Sequence, residues 1–267
     1  MTTERETLTP LEFSALSTSE FVLAHVKPGR RLLDVGFGQA AILSNLAKGG
    51  LNVIGVEKDE ERVEAALKLG LDVVHADFKT LGADQFEPFD AILFSRVLHH
   101  MEPLRHTVGN ILKLLKDDGL ILVEDFCYER VDARTCSWLF PIARMLAEKH
   151  NDTVHHAWLT SLDLLSCESP EAFVQEALST WQMHHEEKHH IAPFEHIKSV
   201  MSDEFDFLSE QRVPYLFRYL CDLLPDTADG GTAARQLAYW EAALAETGAI
   251  APIGIRLVAT RPSEEEV

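Results

Sequence analysis

The sequence predicts an α/β fold built on a doubly wound, mostly parallel sheet, and three observations carry that prediction. Short apolar runs suited to buried strands alternate with segments of helical apolar period along the first half of the chain. One of these runs, Leu32-Leu33-Asp34-Val35, stops at Gly36-Phe37-Gly38 and passes straight into a helix-compatible stretch. Acidic residues, Asp34, Glu57 and Asp77, stand at the ends of three successive runs, where open α/β sheets hold their ligands.

The elements follow in order. Residues 10–26 place Leu11, Phe13, Leu16, Phe21, Val22 and Leu23 at near-helical spacing, and Pro28-Gly29 ends this leading helix. A strand over 31–35 delivers Asp34 to the turn. A helix over 40–48 ends at Gly49-Gly50, and a strand over 52–56 ends at Glu57. The next pair is a helix over 60–69, closed by Gly70, and a strand over 72–76 leading to Asp77-Phe78. A strand over 89–95 runs into Arg96-Val97-Leu98-His99-His100, and a helix over 103–115 precedes a turn at Lys116-Asp117-Asp118-Gly119 and a fifth strand over 120–124. Beyond residue 125 helical spacing recurs through Trp138, Leu139, Ile142 and Leu146, then near Trp158, Leu162, Phe173, Val174 and Leu178. A strand over 205–213, a helix including 233–246 and a last strand over 253–260 complete the reading.

Composition bounds the function. A chain of 267 residues with 46% hydrophobic content buries a substantial core and suits one large domain with an insertion. Its 43 acidic and 24 basic residues give a formal charge of −19, which repels a phosphate backbone and makes nucleic acid a poor partner. No apolar run spans a bilayer, and the first twenty or so residues lack the basic start and apolar middle of a signal peptide. A soluble, cytoplasmic protein without membrane partners is expected. Cys127, Cys136, Cys167 and Cys221 form no C-x-x-C pair, which suits reduced thiols. Residues 263–267 read as a solvated acidic tail.

The ligand's charge separates two readings of the glycine turn. Gly36, Gly38 and Ala41 satisfy the relaxed G-x-G-x-x-G/A pattern, in which a dinucleotide pyrophosphate sits on a helix N-terminus. That reading gives a nicotinamide-dependent oxidoreductase. A carboxylate at position 34 repels the pyrophosphate and attracts an ammonium or sulfonium. Glu57 lies about 20 positions past the second glycine, the spacing at which a carboxylate meets ribose hydroxyls. Three acids, one per strand, fit a cationic nucleoside, so the crevice is expected to welcome positive charge and turn phosphates away.

These residues resemble the class I S-adenosylmethionine-dependent methyltransferases, whose first motif is an acid followed by Gly-x-Gly. The resemblance runs from residue 31 to 124 and includes Asp77-Phe78, the Phe89-Asp90 start of the fourth strand, the Leu98-His99 that follows it and the Leu115-Lys116-x-x-Gly119 turn. It implies a Rossmann-like, seven-stranded sheet with the last strand antiparallel and a helical insertion between strands 5 and 6. The implied organisation is one domain over 1–267: a cofactor-binding half over about 28–125, a substrate-covering region over about 126–200, and C-terminal strands and helix over about 201–262. The implied cofactor is S-adenosylmethionine, leaving S-adenosylhomocysteine, and the implied acceptor is the oxygen or nitrogen of a small molecule. The resemblance places Asp34, Gly36 and Gly38 at the methionine end, Glu57 at the ribose, and Asp77 and Phe78 at the adenine, and it adds Phe37, Lys58, Ser95 and Arg96 to the cofactor-binding set. Two departures stand out, Ala40 where a third glycine is common and a charged Asp125 after the fifth strand. Alanine entering a helix is expected to be sterically mild there.

Histidines are the candidate general bases, since their ordinary pKa lies near neutrality. His99 and His100 follow the fourth strand. His155, His156, His184, His185, His189 and His190 lie in or near the covering region. His185-Glu186-Glu187-Lys188-His189 also spells H-E-x-x-H, the zinc hydrolase pattern. Its longer form fails, because Ala192 stands where a glycine would follow and His196 falls one residue late, so no metal is expected. A partner protein that binds the cofactor and transfers nothing is compatible with the same residues, as is a homodimer.

Overall fold

The computed structural model describes residues 8–82, 84–150 and 157–262. The tail at 263–267 and the pair His155 and His156 lie outside the described residues. The chain divides into two compact units, one built on Ala15–Asp125, Ala192–Gln211 and the strand from Ile255, the other on Phe126–Ile191 and Arg212–Gly254.

The first unit carries the sheet. After helix α1 (Pro10–His25) come β1 (Arg31–Val35), α2 (Ala41–Lys48), β2 (Asn52–Glu57), α3 (Glu60–Lys68), β3 (Val73–His75), β4 (Phe89–Ser95), α4 (Leu104–Leu114) and β5 (Leu115–Phe126). Seven strands take the order β3-β2-β1-β4-β5-β7-β6, with β6 at Asp206–Val213 and β7 at Gly254–Thr260. Six strands run parallel and one antiparallel. The chain builds outward from β1 to β3 and then returns to lay β4 on the other side of β1. That reversal opens a crevice at the carboxyl ends of β1 and β4.

Local chemistry explains the elements. β4 is buried along nearly its whole length, as a central parallel strand covered on both faces must be. α3 starts at Asp59, whose side chain accepts from Arg62 N at 3.2 Å, and Glu60 and Glu61 in its first turn complement the helix dipole. Apolar faces of α1, α2 and α3 pack on β1 and β2 through Val22, Leu43, Leu46 and Val63. At the amino ends of the strands, Asp90 accepts from Arg31 N at 2.8 Å, Arg30 at 2.9 Å and Lys116 at 2.7 Å, so the acid of the Phe-Asp pair is a structural tie. These three donors hold its carboxyl below the ordinary range despite the opposing effect of burial. The expected turn at 116–119 lies inside β5. Phe89 faces Leu115 while Ala91 faces Leu120, so the intervening residues bulge out of register.

The second unit is helical: α5 (Ala133–His150), α6 (Ala157–Thr160), α7 (Pro170–Gln182), α9 (Phe217–Cys221) and α10 (Ala228–Glu246), with α8 (Phe194–Met201) belonging to the first unit. Its core gathers Leu139, Phe140, Phe173, Ala177, Trp181 and Leu216. α7 continues into a π-helical turn, Met183–Lys188. Among the described residues no helix is long and apolar enough to cross a membrane.

Candidate active site

A cavity of about 460 Å³ opens at the carboxyl ends of β1, β2, β3 and β4. Its walls bring together Gly36, Glu57, Lys58, Asp77, Phe78, Arg96 and His100 from the sequence-predicted set. Gly36 of the glycine turn lines it. Gly36 takes φ 68° and donates its N–H to Val56 O at 2.7 Å; a Cβ there would stand 2.7 Å from Val97 Cγ2. Gly38 takes φ 59° and donates to Glu57 Oε2 at 3.1 Å. Ala40 follows at φ 62°, which corrects the expectation of a mild substitution. The third position of this turn is left-handed, where a Cβ crowds the next carbonyl. Phe37 packs its ring on Gly55, where a Cβ would lie 2.6 Å from it, and is not among the lining residues.

The three acids differ. Asp34 is 1% exposed, below the turn, and its Oδ2 has no hydrogen-bond partner. Burial pushes its carboxyl up to about 7; the Arg96 charge works against that and the Glu57 charge adds to it. Glu57 is buried and already engaged: Oε1 accepts from Lys58 N at 2.9 Å and Asp59 N at 3.2 Å. Its Oε2 holds only the Gly38 bond, with Arg62 3.9 Å away, so a lone pair stays available for a hydroxyl. Asp77 Oδ1 accepts from Lys79 N at 2.9 Å, and the buried Phe78 meets Phe94 edge-on. Lys58, Arg62, Lys79 and Arg96 line the same cavity. The expectation of a crevice that turns phosphates away therefore meets four basic residues in its wall, with Lys58 following Glu57 and Lys79 following Asp77 within two positions.

Past β4, Ser95 is buried and its hydroxyl has no hydrogen-bond partner. His99 is 6% exposed, and its Nδ1 lies 2.6 Å from Asp125 Oδ1. Asp125 belongs to β5 and is fully buried, so the charge that looked like a departure is a histidine's partner. His100 is exposed, with its ring 4.3 Å from that of His99.

In the helical unit His185 is buried, with Nδ1 2.8 Å from Trp181 O and Nε2 2.9 Å from Tyr219 OH. Its ring stacks on Tyr128. His189 is exposed and caps the π-helical turn. The π turn breaks the α-helical spacing that H-E-x-x-H needs, and both His185 nitrogens are engaged within the fold. Among the described residues no group of three or more His, Cys, Asp or Glu side chains is placed to hold a metal ion.

Comparison with known proteins agrees with this geometry. A family model described as a methyltransferase domain matches residues 14–207, well over half of the chain. The chain belongs to that family. It is of the class I, S-adenosylmethionine-dependent kind, and the nicotinamide reading of the turn gives way to it. A probable (S)-tetrahydroprotoberberine N-methyltransferase of Papaver bracteatum is 30% identical over 115 residues, 40% of this chain and 32% of that protein. A ubiquinone biosynthesis O-methyltransferase of Chelativorans sp. is 30% identical over 100 residues, 36% of this chain and 40% of that protein. The chain thus spans less than half the length of these relatives. A crystal structure of a Pyrococcus horikoshii protein shares the fold, at TM-score 0.52 and 14% identity over 93% of this chain and 90% of that one.

The methyltransferase cavity suits S-adenosylmethionine on its own chemistry. A buried carboxyl oxygen without a partner stands beneath Gly36, where a Cβ would meet Val97, and suits a cationic group held against the backbone. Sequence reasoning missed Arg62, Lys79 and Met101 in the wall and Asp125 behind His99. For the lysine and arginine the signal was present, as basic residues a few positions beyond acidic strand ends.

Proposed function

We propose that this chain transfers the methyl group of S-adenosylmethionine to an oxygen or nitrogen of a small-molecule acceptor. The observation that carries the reading is Asp34, an unsatisfied carboxylate buried under Gly36 with Glu57 and Asp77 at the tips of the next two strands of the chain. S-adenosylmethionine supplies a sulfonium-bound methyl group and leaves as S-adenosylhomocysteine. Asp34 and the Gly36 to Gly38 backbone hold the methionine end, Glu57 takes a ribose hydroxyl on its open Oε2 lone pair, and Asp77 with Phe78 receives the adenine. Lys58 completes the wall.

His99 is the general base of this reading. Its Nδ1 faces the Asp125 carboxylate at 2.6 Å, which orients the ring to take a proton from an acceptor. His100, His185 and His189 are second to it, since both His185 nitrogens bond within the fold and His100 and His189 are exposed. Relatives named as an O- and an N-methyltransferase of small molecules support the acceptor class, and the overall negative charge argues against nucleic acid. Calorimetric titration with S-adenosylhomocysteine, followed by methyl-transfer assays on a panel of phenols and amines, tests the reading. We expect binding that weakens at least tenfold, about 1.4 kcal/mol, in Glu57→Ala. Binding unchanged by that substitution would overturn the assignment.

A further inference from the structure

The histidine-rich turn of the helical unit, His184-His185-Glu186-Glu187-Lys188-His189-His190, pairs its rings differently from the pattern it spells. H-E-x-x-H joins His185 to His189, one α-helical turn apart. Met183–Lys188 is π-helical, and there hydrogen bonds close from i to i+5, so residues five apart come to one face. His184 and His189 are five apart. Their ring centres lie 4.4 Å from each other with the planes at 57°. His185, between them in sequence, turns inward, stacks on Tyr128 and bonds Trp181 O and Tyr219 OH.

That spacing suits a shared ion. Metal–nitrogen bonds of about 2.0–2.1 Å put each imidazole centre about 3.2 Å from the metal, so two rings stand about 4.5 Å apart across a right angle and about 5.2 Å across a tetrahedral one. The observed separation matches the right angle, which copper(II) and nickel(II) favour and zinc does not. His184 is half-buried and its ring is stacked on Trp158 at 3.8 Å and 15°, so little freedom is lost when it binds. His189 is exposed, as are Glu186 and Glu187 on the same turn; these acids and the chain's charge of −19 draw cations to it against the opposing Lys188. His99 and His100 are also close, at 4.3 Å, but His99 is buried with its Nδ1 on Asp125. Against the sequence expectation of no metal, we propose that His184 and His189 form a two-imidazole site for a late first-row divalent cation, copper or nickel before zinc. Water fills the remaining positions. With two protein ligands in place of the four of a structural zinc site, the ion stays exchangeable.

Titration of the full chain, free of any affinity tag, with copper(II), nickel(II) and zinc(II) tests this. We expect affinity to fall in that order, with copper at least tenfold tighter than zinc. Copper should quench the fluorescence of Trp158, which lies against His184, and its electron paramagnetic resonance spectrum should show coupling to two nitrogens. Excess nickel should raise the melting temperature by a few degrees. His189→Ala, at an exposed position, should leave the metal-free melting temperature unchanged, weaken copper binding at least tenfold and abolish the nickel-induced rise. His184→Gln should do the same to both metals, and if it fails to fold His189→Ala decides alone. His190→Ala should leave copper affinity within twofold. Copper binding undiminished in His189→Ala overturns the proposal, as does a loss confined to His100→Ala, which would move the ion to the other histidine pair. Absence of any quench or nitrogen coupling in the wild type overturns it as well.

Discussion

Two buried carboxylates, one in each unit, are pushed to the same place for opposite ends. Asp34 under the glycine turn and Glu241 on α10 are both 1% exposed, and burial raises each carboxyl to about 7. Glu241 is fully employed: Oε1 accepts from Tyr215 N at 2.6 Å and Leu216 N at 2.9 Å, and Oε2 from Phe217 N at 2.9 Å, capping the start of α9. Asp34 keeps an oxygen with no partner. A carboxylate whose lone pairs are taken by orphan backbone donors belongs to the fold, and one with an oxygen left unpaired beneath the glycine turn suits a ligand. Burial alone does not tell them apart; the count of donors does.

Substitution should separate the two most sharply through Glu241. Replacing it with leucine leaves three buried N–H groups without an acceptor, at roughly 1–3 kcal/mol each, and we expect about 3–5 kcal/mol of lost stability in denaturant unfolding. Glu241→Gln, which keeps one carbonyl oxygen, should fall between. A leucine variant as stable as the wild type would show that these donors find water instead. Asp34→Asn should do the reverse. It removes a buried ionisable group whose Oδ2 has no hydrogen-bond partner, so the melting temperature should hold or rise, while affinity for S-adenosylhomocysteine falls about 10- to 100-fold, or 1.4–2.7 kcal/mol. Loss of stability together with undiminished binding would place Asp34 with Glu241 as a structural acid.

The pH dependence sharpens the same contrast. Because both folded values stand above the ordinary 3.8 of Asp and 4.5 of Glu, the folded state holds protons that the unfolded state releases. Their contribution is present below about 4 and is lost as pH rises toward 7. Thermal melts of the ligand-free chain should decline over that window, and less steeply in Asp34→Asn. A ligand ammonium favours the ionised Asp34, so S-adenosylhomocysteine should bind roughly tenfold more weakly at pH 6 than at pH 8. The slope should vanish in Asp34→Asn and persist in Glu241→Gln. A slope unchanged in Asp34→Asn would assign it to another group.

The sequence made much of the sheet legible, because buried parallel strands read as apolar runs and their helices as amphipathic segments. Strands expected at 31–35, 89–95 and 205–213 stand at Arg31–Val35, Phe89–Ser95 and Asp206–Val213. The strand-end acids were legible for the same reason, since a residue that follows an apolar run must lie at the sheet's edge. What was not legible depends on which distant residues the topology brings together. His99 and Asp125 are separated by 26 positions, and nothing in either neighbourhood announces the other. Glu241 sits among small helix-forming residues like any surface glutamate. The aromatic Phe37 looked like part of the binding loop, and only the absence of a side chain at Gly55, one strand away, reveals its seat. Backbone handedness was hidden as well, for alanine carries no mark of the φ it must take.

That hidden handedness gives the smallest of the expected effects, and one that stays within the turn above Asp34. Ala40 holds φ 62° and is 3% exposed, packed in the core of the sheet unit and outside the cavity lining. A left-handed conformation costs an L residue about 1–2 kcal/mol, and glycine at the same position gives back about 0.4–1 kcal/mol through its freer unfolded chain. Ala40→Gly should therefore gain a net ~0.5–1 kcal/mol, a rise of a few degrees in melting temperature, with affinity for S-adenosylhomocysteine within twofold of wild type. The same loop would then carry two substitutions with separated effects, one on the ligand through Asp34 and one on the fold through Ala40. A less stable Ala40→Gly would mean that the methyl's packing against the core outweighs the strain of its backbone, and a change in affinity would mean that the turn's shape, more than the carboxylate beneath it, sets the binding.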